Sequence, residues 1–134
     1  MNTFITKPFL KTVSLVSVYS IIANVILLII SRAFAGAPAT FAPFTYTPVI
    51  FLTLGGVVAA AVVYLLIKKF FKNYNKVFII VSIIALIVSF IPDIQLVHPV
   101  DAEDFGATPL IIGILMLMHV IAAVLVIRMF TREG

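Results

Sequence analysis

Four long apolar runs dominate the chain, and they decide what it can fold into. They cover about Leu10 to Ile30, Pro48 to Ile67, Val77 to Ile91 and Pro109 to Ile127. A helix needs roughly 20 apolar residues to cross a hydrocarbon core of about 30 Å. Three runs meet that length directly. The third is shorter, with Tyr74 and Asn75 before it and Pro92 after it placed to lie in the interfaces. In lipid every backbone N–H and C=O must find a partner within the protein, so a spanning segment is a helix or part of a closed barrel. Barrel strands alternate apolar and polar residues. These runs do not alternate, so they are read as helices.

Composition agrees. Of the 134 residues, 63% are hydrophobic and only 10% are charged, against about 25% charged in a soluble domain. A small soluble globule leaves too much surface exposed to hide so much apolar side chain. The implied solvent is the lipid bilayer. The formal charge of +4 is not the footprint of nucleic acid, because the basic residues sit at the ends of apolar runs, where topology accounts for them. With no cysteine, disulfides and thiolate chemistry are excluded.

Lysine and arginine set the expected orientation. Lys7 and Lys11 precede the first run. Lys68, Lys69, Lys72 and Lys76 surround the link between the second and third. Arg128 and Arg132 close the fourth. With four crossings these regions share one side, and the positive-inside rule makes that side cytoplasmic. Arg32 is the exception. Four acids, Asp93, Asp101, Glu103 and Asp104, fall on the opposite side. The expected fold is an all-α integral membrane four-helix bundle, up-down-up-down, N-in/C-in, in one domain spanning 1–134. Its helices are expected at about 10–31, 48–70, 77–91 and 109–129, with outer links 32–47 and 92–108 and an inner link 71–76. Ala33-Phe34-Ala35 has the form of a leader cleavage site. The preceding stretch of about 19 apolar residues exceeds the usual 7–15 of a leader, and is read as a membrane helix.

Thr47-Pro48-Val49-Ile50 resembles Thr108-Pro109-Leu110-Ile111. In each, Thr suits the N-cap and Pro the first helical position. The likeness fits either a duplicated hairpin or two helices that share a start signal.

Polar residues inside a membrane are costly and therefore informative. Ser14, Ser17, Ser20 and Asn24 follow one another at spacings of 3, 3 and 4, which places them on one face of the first helix. That face is expected to look into the bundle. Gly56 and Ala60 form a small-xxx-small pair in the second helix, read first as a tight helix contact and second as a slot for a small ligand. His119 lies about 15 Å into the fourth helix at 1.5 Å per residue. It is expected to face the first helix and to hydrogen-bond to Ser20 or Asn24, with Ser17 on the same seam. It acts either as a polar staple or as a ligand or proton site. The staple is favoured because no carboxylate is expected at its depth. Arg32 and Asp93, at the outer ends of the first and third helices, are expected to pair if those helices are neighbours.

No metal or cofactor is expected. His98 lies in an outer link, and neither histidine has a second metal-type ligand at i+3 or i+4. Met116 and Met118 read as core fillers rather than haem ligands. The chain carries no nucleophile elbow, phosphate loop or zinc motif, so an enzyme ranks last among the functions.

The polar helix bearing Asn24, the Pro- and Thr-rich entry from Pro43 to Pro48, and Met118-His119-Val120-Ile121-Ala122-Ala123 together resemble a bacterial family of uncharacterised four-helix membrane proteins, domain of unknown function 6069. The resemblance spans most of the chain except the acidic link 92–108. It implies a small inner-membrane protein, and no activity or functional residue comes with it. The leading expectation is a non-enzymatic structural or interaction protein that packs with itself as a homo-oligomer or with a larger membrane-protein partner. The alternative is a small-molecule or ion binding or transport protein with a polar site around His119, Asn24 and Ser20.

Overall fold

The computed structural model describes residues 5–34, 45–97 and 109–133. They form four helices: α1 Lys7–Phe34, α2 Tyr46–Phe70, α3 Tyr74–Val97 and α4 Pro109–Glu133. Each is long and apolar enough to cross a membrane. Outward faces are rich in large apolar side chains. Ile22, Ile26 and Ile29 on α1 and Ile80, Ile84 and Ile87 on α3 are all exposed. In water such faces would be unstable. Against lipid tails they are in their proper solvent.

Helix ends follow local chemistry. Thr6 caps α1, its hydroxyl accepting from the Phe9 N–H at 3.2 Å, so the helix starts three residues before the apolar run. The N-cap of α2 is Thr45 rather than Thr47, and its side chain makes no capping bond. Pro48 sits in the first turn, where its missing N–H is no loss. Thr47 therefore does not take the cap position expected of it. Thr108, His98 and the acids Asp101, Glu103 and Asp104 lie outside the described residues. Between α2 and α3 the chain turns in three residues, Phe71 to Asn73, with the Phe71 N–H returning to the Ile67 carbonyl at 2.9 Å.

The largest departure from the sequence reading is in α3. Expected to stop at Ile91, it runs through Pro92 to Val97. Proline removes one backbone donor and usually ends a helix, yet within a membrane helix it is tolerated where neighbours and local hydroxyls support the backbone. Ser89, one turn earlier, donates to the Leu86 carbonyl at 2.6 Å. The extension adds about 9 Å of helix at 1.5 Å per residue and carries Asp93 with it.

Successive helices are antiparallel. α1 packs along both α2 and α4, α3 packs along α4 and less extensively along α2, and α2 meets α4 across the middle. α1 and α3 stand at opposite corners. The buried face of α1 contains Phe9, Val16, Ser17, Ser20, Asn24 and Leu28, so the expected polar seam does face inward. Ser14 does not belong to it; it is exposed and donates to the Leu10 carbonyl. Ser17 and Ser31 likewise satisfy their hydroxyls on α1 itself, at Val13 and Leu27. This local bonding lets small polar residues act as packing surface.

The two ends of the bundle differ. At the basic end, Phe9, Tyr64, Phe78 and Phe130 come one from each helix, with ring centroids 5.0–6.0 Å apart. The Tyr64 hydroxyl donates to the Asn75 carbonyl oxygen at 3.2 Å, and the Asn75 amide donates to the Thr131 backbone carbonyl at 3.3 Å. That end is closed by interlocked rings. The other half is packed less completely and holds a cleft.

Candidate functional site

The cleft lies among α2, α3 and α4, with Asn24 of α1 at its back, and has a volume of about 420 Å³. Its mouth lies between α2 and α3, where Leu52 on one lip is 75% exposed and Ala85 on the other is also exposed. The opening thus faces sideways, toward the region that lipid occupies. Most of the wall is aliphatic, including Val57, Leu86, Leu115 and Val126.

Gly56 and Ala60 belong to this wall. The expected tight helix contact is not there: a Cβ added at Gly56 would meet nothing within 4 Å. The small side chains keep space open between α2 and α3. Within the chain, no other helix closes on Gly56.

Polar groups enter the cleft from every helix. From α1, Asn24 donates its amide to the Thr53 hydroxyl of α2 at 3.0 Å. That leaves its carbonyl oxygen buried without a hydrogen-bond partner among the described residues. From α3 come Ser82, Ser89 and Asp93, at spacings of 7 and 4 that hold them on one face. From α4 comes His119. Its Nδ1 lies 3.1 Å from Oδ2 of Asp93, with side-chain exposures of 37% and 7%. Neither atom makes a well-formed hydrogen bond, and the close contact is an ion pair when the imidazole carries a proton. The Phe90 ring, one turn before Asp93, stands edge-on to the imidazole with centroids 6.4 Å apart.

This geometry revises three expectations. His119 faces inward, but its partner is Asp93 rather than Ser20 or Asn24. Asn24 is engaged by Thr53, and Ser20 is fully buried with no partner for its hydroxyl among the described residues. A carboxylate does reach His119, because α3 continues past Pro92. The expected pairing of Arg32 with Asp93 required α1 and α3 to be neighbours, and they stand diagonally opposed. Arg32 instead lies over the Tyr46 ring, 5.1 Å from its centroid, bridging the end of α1 to the start of α2. Ser17 is buried on α1 but does not line the cleft. Met118 lines the cleft and joins a small apolar cluster with Leu28, Val49, Ile111 and Ile112, against which Met116 packs.

Sequence reasoning missed Thr53 and the α3 face. The signal for that face was present, since Ser82, Ser89 and Asp93 share a helical stripe once the helix is not ended at Pro92.

Chemically, the pair can hold one proton between imidazole and carboxyl with no net charge, which suits a site of low polarity. The remaining polar atoms can orient a bound molecule, and the aliphatic wall can bury its body. Among the described residues, no three His, Cys, Asp or Glu side chains group to hold a metal ion.

No curated protein and no solved structure matches the chain. A family model matches residues 5–134, essentially the whole bundle including the cleft. The chain belongs to the family of unknown function DUF6069.

Proposed function

We propose that this small multi-pass membrane protein is a non-enzymatic binding protein that takes a small, largely apolar molecule from the lipid into the cleft between α2 and α3. The observation that carries this reading is the open wall at Gly56 in a cleft that also holds the partnerless Asn24 oxygen and the Asp93–His119 pair. Two helices in lipid gain by closing on small residues, and here they stay apart. The volume of about 420 Å³ lies within the usual range for small-molecule sites, about 300–1,000 Å³. The protein sits in a bacterial inner membrane with both termini cytoplasmic, a placement supported by the clustering of Lys68, Lys69, Lys72 and Lys76 at the end that also carries Lys7 and Arg132.

A second reading has its own support. Gly55, Gly56 and Ala59 form an exposed small-residue patch on α2, the kind of surface on which another copy or a larger membrane protein packs.

One substitution separates the two. Gly56→Phe fills the cleft with a side chain that also projects from α2. The binding reading predicts an unchanged oligomeric state in native mass spectrometry and loss of co-purifying small molecules. The packing reading predicts a broken oligomer. Because the chain has no cysteine, Lys72→Cys tests the orientation. Labelling of intact cells by an impermeant thiol reagent would refute a cytoplasmic 71–73 turn.

A further inference from the structure

The cleft combines a shape and a hydrogen-bond deficit, and together they specify a kind of ligand. Oδ1 of Asn24 is buried and makes no hydrogen bond among the described residues, and Oδ2 of Asp93 and Nδ1 of His119, also buried, have only each other, 3.1 Å apart. Asn24 and Asp93 are at least nine-tenths buried, at 4% and 5% exposure. In the structure the Asn24 NH₂ donates to the Thr53 hydroxyl, which leaves Oδ1 without a partner. The Asp93 oxygen is an acceptor when ionised. Once His119 gives up a proton from Nδ1, that atom is an acceptor as well. Between Nδ1 and Oδ2 the pair then offers two acceptors and no donor.

Resting on the binding function proposed above, we propose that the ligand is a lipophilic amine, bound as its ammonium, that takes the place of the proton shared by His119 and Asp93. An ammonium carries three donors and no acceptor, so it can face the carboxylate oxygen and the imidazole nitrogen together. A hydroxyl brings one donor and an acceptor that would itself need a partner. The exchange balances in charge. Before binding, the pair shares one proton and sums to zero. As R–NH₃⁺ enters, the Nδ1–H bond of His119 breaks and its proton leaves to solvent. The imidazole stays neutral, and the carboxylate faces the ammonium. The site is again neutral, as a membrane interior requires.

No other charge disturbs this count. Asp93 from α3 and His119 from α4 are the titratable groups among the residues lining the cleft, and α1 and α2 contribute only neutral side chains there. The alkyl body fits the aliphatic wall and the sideways mouth.

The test uses the full chain in phosphatidylcholine nanodiscs, titrated calorimetrically with decylamine, decanol and decyltrimethylammonium in two buffers of different ionisation enthalpy, with empty nanodiscs as baseline. The amine should bind at least about tenfold tighter than the other two, roughly the worth of one hydrogen bond to a charged group, and should release about one proton per site. Asp93→Asn should reduce the amine to the level of decanol. Should that variant not fold, the wild-type ranking and the proton count still decide. Gly56→Phe should abolish saturable binding of the amine. If Gly56→Phe removes binding but the amine and decanol bind alike, or no proton leaves, the amine proposal is overturned and the cleft reading stands. If no probe binds saturably, or binding survives Gly56→Phe, the cleft reading falls and this inference with it.

Discussion

The two halves of the bundle solve the same packing problem in opposite ways. At the basic end, α2 presents Ala61, Tyr64 and Ile67, all buried, and the rings of all four helices interlock. One helical turn or more away, the same helix presents Gly55 and Gly56, where an added Cβ would touch nothing. The basic end satisfies its polar atoms, with Tyr64 and Asn75 bonded in sequence to the end of α4. The cleft half leaves the Asn24 oxygen without a partner, and Asp93 and His119 with only each other. Complete packing with satisfied polar groups is what stability alone selects. Open space with unsatisfied buried groups costs stability, and its place beside a lateral mouth points to a use. The difference between the halves assigns holding the helices together to one and binding to the other.

That assignment breaks most visibly at the rings. Phe130 is fully buried against Phe9, Tyr64 and Phe78, so Phe130→Ala should cost about 3–5 kcal/mol, read as a large fall in the unfolding midpoint in detergent. A small change there would mean that the basic end is not the stabilising half. Next in size is the polar pair. Removing one partner strands the other, so His119→Leu and Asp93→Leu should each cost about 1–3 kcal/mol. The double variant should cost less than their sum, since replacing both members of a buried pair is often tolerated. Strict additivity in that cycle would show that the two side chains do not interact. Smaller again is Tyr64→Phe, which keeps the ring and loses the bond to Asn75, at about 1 kcal/mol. The smallest effect should have the opposite sign. Gly56→Ala adds a methyl to open space in mid-helix and should stabilise by about 0.5–1 kcal/mol. Destabilisation there would mean that another surface closes on Gly56.

The fold was largely legible because lipid leaves so few choices. Run length and charge placement were enough for four helices and for the shared basic end. The buried face of α1 followed from the spacing of Ser17, Ser20 and Asn24. The site was only partly legible. His119 stood out by its depth, but its partner did not, because Pro92 was taken to end α3 and so left Asp93 in a link. Proline is a strong stop signal in water and a weaker one in a membrane helix, and that single difference moved the carboxylate onto the helix. Pairing Arg32 with Asp93 failed for another reason: helix composition does not reveal which helices are diagonal. No other helix of the chain closes on Gly56, because small residues permit close approach without requiring it. Only the position of α3 distinguishes a seam from a slot.

The division of the bundle into a holding half and a binding half is tested most directly by one titration, decylamine into nanodiscs carrying Gly56→Phe, compared with the wild-type chain. The predicted result is loss of saturable binding in a variant that unfolds at or above the wild-type temperature. Binding as tight as wild type, in a variant that folds, would contradict it.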